Sequence, residues 1–135
     1  MNVLLFTTFP VLVAWSVVLL VVHILLQANL AMNELGADWN AGPRDDGMQL
    51  KSAVAGRADR ASHNFRESYP AFVGLALALA ISDPASVWGH AGALTWFLAR
   101  IVYIPLYIGG VPYIRSLVWC VSMLGLLIMF LSVLF

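Results

Sequence analysis

The sequence predicts an all-α integral membrane protein built as a four-transmembrane-helix bundle, and three observations carry that expectation. The chain is 61% hydrophobic and only 10% charged, and its mean hydropathy of +0.88 exceeds what a soluble surface tolerates. At about 20 apolar residues per crossing, 135 residues leave room for roughly four helices and no separate soluble domain. The polar residues collect in one stretch, 33–67, and at short breaks between apolar runs. A single membrane domain over 1–135 follows.

The first crossing covers about 3–32, with Pro10 close enough to its start to be accommodated. Its apolar run is about twice the length of a signal-peptide core and has no Lys or Arg ahead of it, which argues against a cleaved leader. Polarity begins at Gln27, Asn29 and Asn33, and the loop 33–52, rich in Gly, Asp and Asn, reads as an ordered loop or short turns. A second helix is expected over 53–81, polar in its first turns and apolar after Pro70, and Pro84 stops it. The third is expected over 86–108, broken by the sequence GGVP at 109–112, and the fourth over 113–135.

Orientation follows from the basic residues. Arg44, Lys51, Arg57, Arg60 and Arg66, five of the seven Lys and Arg, lie between the first two crossings. The 33–52 loop is therefore expected on the cytoplasmic side and both termini outside, with Arg115 on the cytoplasmic side again. A bacterial inner membrane is the expected setting. The zero formal net charge suggests no nucleic-acid partner. One cysteine, Cys120, excludes a disulfide within the chain and a cysteine metal cluster. His23, His63 and His90 have no second ligand at metal spacing, so no metal is expected. His23 reads instead as a packed or inter-helix hydrogen-bonding residue.

Two polar stripes stand out. Arg57, Arg60, Asn64 and Glu67 are spaced 3, 4 and 3 apart, which on a helix makes one face. Arg100, Tyr103 and Tyr107, spaced 3 and 4, make another on the third helix. Arg100 falls mid-segment, where an unpaired arginine costs on the order of 3 kcal/mol by insertion scales. A carboxylate partner is expected, and Glu67, with Asp59 as the shallower choice, is the candidate. The plain reading of these residues is an Arg–Glu tie between two helices. The richer one is a polar pocket, completed by Arg115 at the start of the fourth helix, for a small, multiply charged ligand.

The spacing of Arg60, Ala61, Asn64, Glu67 and Pro70 resembles the R-A-x-x-N-x-x-E-x-x-P signature of the MAPEG superfamily, membrane-associated proteins in eicosanoid and glutathione metabolism. The run ARIVYIPLY at 99–107 resembles that family's R-x-x-Y-x-x-x-Y, and PYIRS at 112–116 resembles the segment that supplies an arginine in its prostaglandin E synthase branch. The resemblance implies a homotrimer of four-helix subunits that binds glutathione at each subunit interface near the cytoplasmic side. It implies that Arg60, Asn64, Glu67, Tyr103 and Tyr107 line the glutathione site, with Arg57 and Arg100 beside them, and that Arg115 stabilises the glutathione thiolate. Glutathione offers two carboxylates and an ammonium, which suit Arg donors and a Glu acceptor. Lowering a thiol pKa by about two units needs only about 2.7 kcal/mol.

The chain departs from the family pattern in three places. No basic residue stands toward the end of helix one, Ser68 follows Glu67 where some members have an aromatic, and Ser62 replaces a Gln or His. The long first loop looks more like short bacterial members. The expected function is therefore a glutathione-dependent transferase or peroxidase acting on lipophilic electrophiles or hydroperoxides drawn from the bilayer. The rival is a non-enzymatic lipid- or partner-binding scaffold of the same fold. A four-helix multidrug exporter is disfavoured because the first helix carries no membrane-embedded Glu.

Overall fold

The computed structural model describes residues 8–135, and these contain helices and connecting turns with no strand. Five helices follow one another: α1 (Phe9–Leu35), α2 (Ala37–Ala41), α3 (Ala53–Ser82), α4 (Val87–Ile108) and α5 (Ile114–Leu134). The first helix was expected from residue 3. Residues 3–7 lie outside the described ones, and the far end runs on to Leu35, where Gly36 at φ 92° stops it. The loop that follows contains the one-turn helix α2 and is tied back to α1 by Glu34. The Glu34 carboxylate accepts the backbone N–H groups of Lys51 and Ser52, so the entry to α3 is anchored to the exit of α1.

Three helices, α1, α4 and α5, are long and apolar enough to cross a membrane. The fourth long helix, α3, has 30 residues but is not among them. Its first half carries five charged residues, Arg57, Asp59, Arg60, Arg66 and Glu67, where each of the other three helices carries one, and only the part from Pro70 onward is continuously apolar. Ser52 begins α3 by accepting the Ala55 N–H, and Ser86 begins α4 by accepting the Gly89 N–H, each taking one of the N-terminal donors that a helix leaves unpaired.

Between apolar helices in lipid, close packing replaces the hydrophobic effect as the force of association, which favours small residues at the contacts. On α3, Ala55, Ala58, Ala61 and Ser62 are buried, and α3 packs chiefly on α1. There Leu12, Ser16, Leu19 and His23 form the buried line at helical spacing. The closest pair is α4 with α5. Gly92 and Gly125 face each other so tightly that a Cβ on either would lie 2.7 Å from the other's carbonyl oxygen. An aromatic column fills the centre. Trp96 is fully buried, stacks on Phe72 with ring centroids 3.9 Å apart, and touches Phe65, which in turn packs on His23.

Candidate functional site

One turn beyond Trp96 stands Arg100, also fully buried. Its guanidinium donates to the Asn64 Oδ1 and to the Ser68 Oγ, both at 2.7 Å, and lies over the rings of Tyr103 and Trp96. The expected carboxylate partner is therefore corrected: Arg100 is held by two neutral oxygens. Glu67 instead pairs with His63 at 3.4 Å, with side chains 61% and 70% exposed, and Asp59 accepts a hydrogen bond from Gln27 at 2.8 Å.

The reason is helical phase. At about 100° per residue, the side of α3 turned to α4 runs through Arg57, Ala61, Asn64 and Ser68, which fall within about 60° of one another. Arg60 and Glu67 lie about 40° to 60° to the other side of Asn64, and both are exposed. The single stripe read from the sequence is thus divided. Arg57 and Asn64 turn inward, and Arg60, His63 and Glu67 face out of the chain.

Arg57 reaches the end of α4, where its Nη1 donates to the Ile108 carbonyl at 3.3 Å. Near the same end lies a cleft of about 270 Å³ lined by Asn64, Tyr103, Tyr107, Arg115, Ser116 and Trp119. The Tyr103 and Tyr107 rings meet edge to face at 5.3 Å, and the Arg115 guanidinium sits 4.6 Å over the Tyr107 ring. Three residues singled out by spacing, Asn64, Tyr103 and Tyr107, thus meet Arg115 in one cleft built by three different helices. Arg100 stands behind it, hydrogen-bonded to the Asn64 in its wall.

The cleft's chemistry is one-sided. Its lining holds a guanidinium, two phenols, a hydroxyl, an indole and a carboxamide, with no carboxylate. Such a set of donors suits an anionic ligand. The carboxylate expected for an ammonium, Glu67, is on the outward face of α3, paired with His63.

The sequence model of the MAPEG family matches residues 12–135. The chain belongs to the MAPEG family. Its match runs through all four long helices, so it spans every residue of this cleft and of the α3 face beside it. No characterised protein with a curated description is a significant match to this MAPEG chain.

Three MAPEG-chain residues at or beside the cleft were not picked out by the sequence reading. Ser116 and Trp119 follow Arg115 by one and four residues, and the i+4 spacing placed Trp119 on the arginine's face from the start. Ser68 was noted only as a departure from the family pattern, yet it supplies half of the seat for Arg100. A buried arginine needs acceptors on the facing helix, and Ser68 is the i+4 neighbour of Asn64.

Proposed function

We propose that this MAPEG protein is a membrane-bound, glutathione-dependent transferase or peroxidase that acts on lipophilic electrophiles or hydroperoxides. The observation that carries the reading is the meeting of Asn64, Tyr103, Tyr107 and Arg115 in one cleft among apolar helices. A water-soluble anionic thiol and a lipid-dissolved substrate would meet there. In this reading α3 also crosses the membrane, as the second of four crossings, the 33–52 loop is cytoplasmic, and the termini lie outside, in a bacterial inner membrane.

Glutathione's carboxylates would be held by the arginines and its ammonium by Glu67. A cleft of about 270 Å³ falls just below the range of about 300–1,000 Å³ usual for small-molecule sites. Arg60 and Glu67 face away from it. Both facts favour a site completed by a second copy, whose outward α3 face supplies Arg60 and Glu67, as in a closed ring such as a homotrimer. Arg100 would not touch the ligand directly but would hold Asn64 in place.

Arg115 is the catalytic residue of this reading. Its guanidinium, held over Tyr107, would stabilise the thiolate relative to the thiol, and the thiol proton would pass to water. The thiolate then attacks the electrophilic carbon, the S–C bond forms, and the leaving group departs with its electron pair. The test is glutathione conjugation of an aryl halide by the purified protein in detergent. Arg115→Ala is expected to lower the rate at neutral pH by about tenfold to a hundredfold, equivalent to about one to two units of thiol pKa. An unchanged rate would remove Arg115 from the mechanism. If millimolar glutathione gives no thermal shift, where binding would stabilise by RT ln(1 + [L]/Kd), the chain is a scaffold of the same fold.

A further inference from the structure

The turn between α4 and α5 is short, strained and gripped from outside. Gly110 N–H bonds to the Tyr107 carbonyl at 3.0 Å and Val111 N–H to the Leu106 carbonyl at 3.0 Å, which closes α4. Gly110 itself sits at φ 70°. Three residues on, Tyr113 has φ 58° and ψ −61°, and Ile114 N–H reaches back to the Pro112 carbonyl at 2.6 Å. That is a γ-turn of the φ-positive kind, a strained conformation for any residue with a side chain. It stands two residues before Arg115.

Strain of this sort persists only where the surroundings hold it. The Arg57 guanidinium holds the α4 end of this turn from α3. It donates to the Ile108 carbonyl and lies flat against Gly110, so close that a Cβ there would be 2.5 Å from Arg57 Cζ and 2.7 Å from both Nη atoms. Glycine at 110 is thus favoured by its backbone angle, and a side chain there would push the Arg57 guanidinium off the turn.

We propose that Arg57 is a positioning residue that grips the α4–α5 turn at Ile108 and Gly110 and thereby fixes where α5 starts and where Arg115 stands over Tyr107. It rests on the functional reading above in assigning work to Arg115, but the grip itself is a property of the chain. Arg57 then contributes to thiol activation without touching the thiol. Its effect reaches Arg115 through five residues of backbone.

The experiment compares Arg57→Met, Gly110→Ala and the double variant in the full-length, detergent-solubilised protein, with three readouts. Thermal unfolding gives the coupling: Gly110→Ala is expected to cost less in the Arg57→Met background, where only the strain of its positive φ remains and there is no grip left to displace. A nitroxide on the lone cysteine, the exposed Cys120 on α5, reads the placement of that helix and is expected to gain mobility in either single variant. Glutathione titration gives the third: the dissociation constant stays within about twofold, while the bound thiol's pKa, read by thiolate ultraviolet absorbance, rises by about one unit, a tenfold loss of thiolate.

Strictly additive unfolding costs, or an unchanged label, would overturn the grip. A tenfold weaker dissociation constant with unchanged thiol pKa would make Arg57 a direct ligand contact and overturn the positioning role. Absence of glutathione binding in the unsubstituted protein would sink the functional reading alone, since unfolding and label mobility still decide the grip.

Discussion

Replacing Asn64 by leucine removes the carboxamide oxygen that takes one of the two short bonds from Arg100 while keeping the side chain's size. Arg100 is fully buried, each of its two bonds is 2.7 Å long, and its Nε has no partner among the described residues. A hydrogen bond to a charged group contributes about 1.5–3 kcal/mol, and breaking a buried charged contact by deleting one side costs about 3–5 kcal/mol. Asn64→Leu is therefore expected to destabilise by about 3 kcal/mol. Ser68→Ala should cost less, about 1.5–2 kcal/mol, because it removes one such bond without setting a larger apolar side chain against the guanidinium. Glu67→Gln should change stability by no more than about 0.5 kcal/mol, since its pairing with His63 is an exposed one. The assay is denaturant unfolding in mixed micelles at neutral pH, followed by helical circular dichroism. A Glu67→Gln cost larger than that of Asn64→Leu would restore the carboxylate as the partner of Arg100 and refute the assignment.

At the α4–α5 contact, Gly92→Ala and Gly125→Ala each drive a methyl to 2.7 Å from a backbone oxygen. Each should lower stability by about 2 kcal/mol or more, with the double variant costing less than the sum once the helices have separated; thermal unfolding of the three variants is the check. Glu34→Gln weakens the acceptor for the Lys51 and Ser52 N–H groups. Limited proteolysis should then nick the 42–50 loop several times faster, with little change in global unfolding.

The fold was legible because its signals are crude and strong. Long apolar runs, and prolines or paired glycines at their ends, place helix boundaries without any knowledge of packing, and Ser52, Pro84 and the GGVP turn did so here. What spacing cannot supply is rotation. Arg57, Arg60, Asn64 and Glu67 make one stripe on a helical wheel, but the wheel does not say which edge meets α4. Glu67 and Ser68 are about 100° apart on that wheel, and the rotation of α3 decides which of them Arg100 finds. The electrostatic rule that a buried arginine needs a carboxylate also overreached, because two well-placed neutral oxygens and two aromatic faces provide much of the same solvation. The Arg57 grip was hidden for another reason: it depends on a backbone angle at Gly110, and nothing in GGVP distinguishes a passive break from a clasped one.

The glycine contact between α4 and α5 has a mechanical meaning. Where two rods touch backbone to backbone with no side chains between them, sliding and separation are blocked but a small change of crossing angle is not. Tyr107 lies 15 residues beyond Gly92 along α4, about 22 Å at 1.5 Å per residue. Over that arm a tilt of about 5° becomes about 2 Å at the mouth. The pair is thus a lever whose fulcrum is the glycines, whose jaws are Tyr107 and Arg115, and whose travel the turn at 109–113 restrains.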